Sequence, residues 1–178
     1  VSRDIQPGVV VKLDERVRRL TAPNASIMTG PGTNTYILGD DANGYLVIDP
    51  GPESRKHIDS IRDLTSDRVK WVLCTHTHID HSPGAALISK LTGACVFGRL
   101  AEHMERQDSS FVPDEQLSDG NEVSFGDLKI DVLHTPGHAS NHLCFLFSEA
   151  RMLFTGDHIM QGSTVVINPP DGDMSAYF

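Results

Sequence analysis

The densest chemical signal in the chain is His76-Thr77-His78-Ile79-Asp80-His81, which directly follows an apolar, β-branched run over residues 69–75. That run reads as a buried strand. In an extended segment residues i and i+2 point the same way. His76 and His78 therefore converge on one ion from the strand's C-terminal end, at the roughly 2.0–2.1 Å that imidazole–zinc bonds need. Asp80 and His81 follow as the chain turns, point elsewhere, and suit a second ion about 3.5–4 Å away. Two later turns add to the set. Leu133-His134-Thr135-Pro136-Gly137-His138 ends a strand and presents His138, and Phe154-Thr155-Gly156-Asp157 ends another with Asp157. Loops at strand ends are where metal sites are usually assembled on a rigid scaffold. A carboxylate has two oxygens, so Asp157 suits a bridging role.

The elements that must position these residues are legible as apolar runs between turn signals. Residues 9–20 alternate around Asp14-Glu15 and predict two strands in a hairpin. Strand-like runs follow at Thr35–Leu38 and Tyr45–Ile48, the second stopped by Asp49-Pro50-Gly51-Pro52. Ile58, Ile61 and Leu64 repeat at helical spacing, and Leu87, Ile88 and Leu91 mark a second helix after Pro83-Gly84 with Gly93 as its stop. Ala94–Phe97 reads as a short strand and residues 99–106 as a short helix. Residues 107–121 read as a polar connection with a Pro-Asp turn. Strands then crowd in at Glu122–Phe125, Leu128–His134, Leu143–Phe147 and Met152–Thr155. Strands, then strand–helix alternation, then strands again predict an α/β domain of two packed sheets with helices outside. The chain closes on Asp173-Met174-Ser175-Ala176-Tyr177-Phe178, read as the first turn of a helix cut short.

The chain has 178 residues, the size of one domain. Such a chain buries about two-thirds of its unfolded surface, enough for a core without staples. Hydrophobic residues make up 39% and charged residues 22%, which excludes long disorder. No run approaches the 18 or so apolar residues of a membrane span, so no membrane partner is expected. The net charge of −9 argues against a general nucleic-acid coat. Cys74, Cys95 and Cys144 cannot all pair and sit in apolar stretches, so reduced, buried thiols and a cytoplasmic setting are expected. The start, Val1-Ser2-Arg3-Asp4-Ile5, lacks a basic n-region and an apolar h-region and is not read as a secretory signal. It also lacks an initiator Met, which leaves removal of an upstream transit peptide, and a mitochondrial matrix location, as the alternative.

His76-x-His78-x-Asp80-His81, Thr135-Pro136-Gly137-His138 and Thr155-Gly156-Asp157 together resemble the metallo-β-lactamase superfamily. Thr29-Gly30-Pro31-Gly32-Thr33-Asn34-Thr35-Tyr36 and Val47-Ile48-Asp49-Pro50-Gly51 match it too. The nearest branch is that of the mitochondrial β-lactamase-like endoribonuclease and its bacterial relatives. The resemblance extends over nearly the whole chain, making residues 1–178 one such domain, and implies an αββα four-layer sandwich with a dinuclear site at one edge. It assigns His76, His78 and His138 to the first metal, Asp80 and His81 to the second, and Asp157 to both. It also implies a further histidine downstream of the bridging Asp, and after His158 this chain has none. The expectation is a chain whose C-terminal part is missing and whose second site holds only Asp80, His81 and Asp157. If Phe178 is the natural end, the reading shifts to a non-catalytic remnant.

The chemistry implied is metal-dependent hydrolysis with up to two zinc ions, iron and manganese being the alternative metals. Zinc lowers the pKa of bound water from 15.7 to about 7, so hydroxide is available at neutral pH. Asp80 is the catalytic candidate, orienting the nucleophile besides binding metal. The expected substrates are a small-molecule ester or thioester, or single-stranded RNA; the charge disfavours RNA. The 18 residues between His138 and Asp157 leave no room there for the large cap domain of nucleic-acid-processing branches. Asp157 stands where one major class of zinc β-lactamases uses Cys. A second class of function is a mononuclear iron oxidoreductase of the persulfide dioxygenase type, with His76, His138 and Asp157 as facial triad. Oligomeric state is not legible. The remaining histidines receive other readings: His158 a supporting or surface role, His134 a structural one, His57 and His103 surface positions on helices. His142 reads either as a partner orienting a ligand or as a hydrogen-bonded loop residue. Asp49 reads either as support for the site or as a turn residue, and Cys74 as strand packing.

Overall fold

The computed structural model describes residues 5–178, so Val1–Asp4, and with them most of the stretch read for a secretory signal, lie outside the described residues. The first sheet has seven strands in the order β1 (Val10–Lys12), β2 (Val17–Thr21), β3 (Asn34–Asp40), β4 (Gly44–Ile48), β5 (Val69–Leu73), β6 (Cys95–Gly98) and β7 (Glu115–Gln116). The first four pair antiparallel and the last four parallel, β4 belonging to both sets. The first two parallel steps cross over through the helices α1 (Arg55–Leu64) and α2 (Gly84–Thr92), and the third, from β6 to β7, through turns. The second sheet, in the order β11 (Met152–Phe154), β10 (Leu143–Phe147), β9 (Leu128–His134), β8 (Glu122–Phe125), is antiparallel throughout.

Two apolar cores explain the layering. Ile58 and Ile61 of α1 and Ala85 and Ile88 of α2 pack with Ile37, Val47, Val69 and Val72 on one face of the large sheet. The other face contributes Leu38, Leu46, Ile48 and Leu73, which meet Phe125, Ile130, Val132, Phe145 and Phe147 of the small sheet. Because it is covered on both sides, β4 is buried at all five positions, as a central strand next to parallel pairing must be. Lys129, Asp131 and Leu133 of β9 lie on its opposite, outer face, which is half-exposed. The layers are therefore helix, sheet, sheet, and α3 (Met174–Tyr177), capped by Asp173, is a single turn.

Three local expectations are corrected. Residues 99–106 form turns rather than a helix, because the chain descends to an isolated bridge between Gln107 and His78. The polar connection contains β7, which Phe97 and Gly98 hold at the sheet edge through backbone pairing, helped by a hydrogen bond from Val96 N–H to Asp114. Cys95 is exposed, since strand alternation turns it outward, while Cys74 and Cys144 are buried.

Candidate metal centre

The cluster lies where the parallel strands end. β5 delivers Thr75 and His76, β4 delivers Asp49, and the β9–β10 and β11 ends deliver His138 and Asp157. Side chains at the carboxyl ends of parallel strands converge on the crevice above the sheet. His76 Nε2 lies 3.0 Å from His78 Nδ1, and His138 Nε2 lies 2.9 Å from the same atom. His81 Nε2 lies 3.4 Å from both Asp80 Oδ2 and Asp157 Oδ1, and Asp157 Oδ2 is 3.5 Å from His138 Nε2. Two donor groups result, His76/His78/His138 and His76/His81/Asp157, each with ligand atoms within 4.8 Å of one another.

The outer nitrogens show that these donors are set for a cation. Thr75 Oγ1 donates to Asp49 Oδ2 at 2.8 Å, so it accepts from His76 Nδ1 at 3.0 Å. His138 Nδ1 donates to the Val166 carbonyl at 2.5 Å, and His81 Nδ1 donates to Asp49 Oδ2 at 2.9 Å. With the ring proton on the outer nitrogen, His76 and His138 each turn a lone pair on Nε2 toward His78 Nδ1. A single proton on that atom can satisfy only one of them. Such inward lone pairs, oriented by outer hydrogen bonds, are what zinc or iron requires.

Charge follows the same geometry. Burial pushes the His76 imidazole well below its ordinary value, and the neighbouring imidazoles push it further. Burial and His138 hold His78 down to about 4. Burial also opposes charge on His81, but the carboxylates of Asp157, Asp49 and Asp80 outweigh it and raise His81 well above the usual range. Asp157 is likewise pulled well below the carboxylate range, burial being overcome by His81 and His138.

Supporting residues surround the donors. Asp49, which the sequence leaves open, is buried and ties β4 to β5 by accepting from Thr75 N–H at 2.7 Å as well as from His81. Its φ of 50° is a left-handed conformation that Asp tolerates. Asp80 Oδ2 accepts from Thr33 Oγ1 at 3.0 Å, so the Gly30–Asn34 turn orients it. His142 is fully buried, and burial keeps it neutral. Its Nε2 accepts from Asp157 N–H at 3.2 Å, so its Nδ1 donates to Thr135 Oγ1 at 2.9 Å. It thus holds the turn that presents Asp157. Gly156, at φ 46°, is required there because a Cβ would sit 2.7 Å from both His142 Nε2 and Thr75 Oγ1.

The remaining histidines lie apart from the donors. His134 Nε2 donates to the Ser140 carbonyl and closes the His138 loop. His158 packs beside the Tyr177 ring, and His103 is exposed in a turn. His57 is a correction. It is not a surface residue but 2% exposed, since α1 turns it inward to donate to Thr35 Oγ1.

A cavity of about 520 Å³ opens on this cluster. Its floor includes His78, Asp80, His138 and Asp157, and its walls include Ile27, Met28, Ile79, Met160 and Val166. Ile27 is 99% and Ile79 65% exposed, so these apolar side chains face open space beside the donors. Arg106 is the one Lys or Arg among its described lining residues.

The model of the metallo-beta-lactamase superfamily matches residues 28–178. The chain belongs to that superfamily. It is 35% identical over 162 residues to the lactamase-like protein aptB of Emericella nidulans, covering 89% of this chain and 50% of the relative. It is 32% identical over 166 residues to an atrochrysone carboxyl ACP thioesterase of Pseudocercospora fijiensis, covering 91% and 47%. Among solved structures it is similar to ETHE1 from Myxococcus xanthus, with a TM-score of 0.71 and 26% identity over 90% of this chain and 65% of that one. The chain spans about half the length of the curated relatives it matches. The superfamily fold is thus present as two packed sheets with the His and Asp donors gathered at one edge.

Proposed function

We propose that the chain carries the metal centre of a hydrolase that cleaves a thioester with a bulky apolar acyl group. The apolar cleft against the His and Asp donors carries this reading. A phosphodiester substrate brings a charge at every linkage and calls for several cations, whereas this cleft offers Arg106 alone beside Glu105, Asp80 and Asp157. Its volume of about 520 Å³ suits a ligand of drug-like size. The thioesterase named among the relatives supports the same class.

His76, His78 and His138 are the proposed holders of one metal ion, with Asp80, His81 and Asp157 as donors for a second. Zinc is the proposed metal; held there, it would supply a water-derived nucleophile at neutral pH, the pKa of bound water falling from 15.7 to about 7. The protein's own part is orientation. Asp80, fixed by Thr33 through Oδ2, keeps Oδ1 to accept a hydrogen bond from the attacking water. Ile27, Met28 and Ile79 hold the acyl chain and exclude bulk water. Water adds to the thioester carbonyl carbon, the C–S bond breaks, and the products are a carboxylic acid and a thiol that takes up the proton. The cytoplasm is the proposed compartment, in line with free Cys74, Cys95 and Cys144. Among the described residues no helix is long and apolar enough to cross a membrane.

Parallel assays of the zinc-loaded protein on a hydrophobic acyl thioester and on single-stranded RNA test the reading. Thiol release without RNA cleavage is expected; RNA cleavage alone would overturn it. The likeness to ETHE1 supports a second reading, a mononuclear iron oxidoreductase using His76, His138 and Asp157. Iron content and oxygen uptake with a persulfide would reveal it.

A further inference from the structure

Behind the donors lies a second set of buried polar side chains that contribute no ligand. Thr77 alternates with His76 and His78 and is 3% exposed. Its hydroxyl donates to Gln107 Oε1 at 2.6 Å and accepts from Asn141 Nδ2 at 2.7 Å. Gln107 Nε2 in turn donates to Asp171 Oδ2 at 2.8 Å. The Asp171 carboxylate also accepts from Ser140 Oγ at 2.5 Å and from Ser140 N–H at 3.2 Å. One carboxylate, 8% exposed, thereby joins the loop carrying His76 and His78 to the loop carrying His138. No Lys or Arg pairs with it among the described residues; amide and hydroxyl donors are its partners.

The neighbouring segment reinforces the same loop. The Val166 carbonyl receives the His138 Nδ1 proton, and Asp173 N–H donates to the Gly137 carbonyl at 2.8 Å. Gly137, at φ 135°, has room for no side chain, since a Cβ would lie 2.6 Å from Tyr177 Cα. Residues 166–177 therefore grip the His138 turn on several sides.

We propose that Asp171 is a positioning residue of the metal centre, setting the separation of His78 and His138 through Gln107–Thr77 on one side and Ser140 on the other. The inference rests on the metal reading given above. It explains why a carboxylate sits buried without a cation: only an acceptor can serve an amide and a hydroxyl at once, and a fixed hub transmits the position of one loop to the other. Hydrogen-bonding partners of this kind govern metal affinity by about 10–100-fold.

Gln107→Glu and the double variant Gln107→Glu/Asp171→Asn separate this role from general stability. The single variant sets two carboxylates against each other at the 2.8 Å contact. The double variant restores that donor–acceptor pair with its direction reversed, while its new NH2 opposes Ser140 N–H, which donated to the same oxygen at 3.2 Å. Zinc affinity is measured by competition with a chromophoric chelator, the cobalt(II) visible spectrum reports ligand geometry, and thermal melting of the metal-free form reports the fold. Gln107→Glu should lose about 10–100-fold in zinc affinity with a changed cobalt spectrum, and the double variant should regain part of both, the Ser140 N–H contact staying lost. Unchanged affinity in Gln107→Glu, or a double variant as weak as the single one, overturns the inference. If Gln107→Glu does not fold, Ser140→Ala decides by the same readouts: a shifted cobalt spectrum supports the inference and an unshifted one overturns it. A wild-type chain that takes up no zinc overturns the metal reading itself.

Discussion

Replacing Asp49 by Asn should take the proton from Nδ1 of His81, and the structure fixes the consequence. Asp49 Oδ1 accepts from Thr75 N–H at 2.7 Å, a backbone donor that cannot reverse. The Asn side chain must therefore keep its carbonyl oxygen there and turn its NH2 toward Thr75 Oγ1 and His81 Nδ1. Thr75 Oγ1 has two lone pairs and can accept from the new NH2 as well as from His76 Nδ1, its own proton losing the Asp49 acceptor. His81, which the facing carboxylates keep protonated on both nitrogens, can meet the new donor at Nδ1 only by giving up that proton, and the one left sits on Nε2, which faces Asp80 and Asp157 and must leave for an ion to bind. Asn tolerates the same left-handed backbone as Asp, so the effect is confined to the side chain. The lost hydrogen bond joins a charged acceptor, a class of interaction contributing about 1.5–3 kcal/mol. That corresponds to about a 10–100-fold loss of affinity at the ion site served by His81. Nitrogen-15 NMR of labelled histidine reads the tautomer, and chelator competition reads the affinity. A variant that keeps the Nδ1 proton on His81 and wild-type affinity would refute the reasoning.

Other consequences can be checked the same way. His57 is held down to about 4 by burial, against 6.5 when free. The unfolded chain therefore binds more protons between those values, and stability falls as pH drops from about 6.5 toward 4, by up to about 3 kcal/mol. Denaturation of the metal-free protein at pH 7 and pH 4.5, compared with His57→Gln, should show that part of the acid sensitivity removed. Gly156→Ala adds a Cβ 2.7 Å from His142 Nε2 and forces a non-glycine residue to φ 46°; about 2–4 kcal/mol of destabilisation is expected, read by the urea midpoint. Ile79→Ser should raise KM for a long-chain acyl thioester several-fold with little change in kcat or zinc content, because it removes apolar wall and no ligand.

Sequence patterning carried the scaffold well where local physics decides it. The fully buried run of β4, the Gly93 stop of α2 and the alternation in β9 each follow from residue types within a few positions. The His76–His81 cluster was legible for the same reason, since its ligand spacing is local. What stayed hidden depends on contacts distant in sequence. His57 stands four residues before Ile61 on the inward face of α1, but nothing near it signals that its partner is Thr35, 22 residues away. Residues 99–106 have helical composition, yet the pairing of Gln107 with His78 draws the chain into turns. Asp171 lies 64 residues from Gln107 and 31 from Ser140, so no motif could announce it. Asp49 was ambiguous because a turn residue and a buried acceptor look alike until β5 is set beside it.

The most direct measurement is thiol release from a hydrophobic acyl thioester by the chelator-stripped protein as zinc is titrated back, run beside His76→Ala. Hydrolysis that appears with zinc in the wild type and is absent from His76→Ala, with no zinc held at the first site, is the predicted result. Thiol release that ignores zinc, or that persists undiminished in His76→Ala, would contradict a hydrolase built on these histidines.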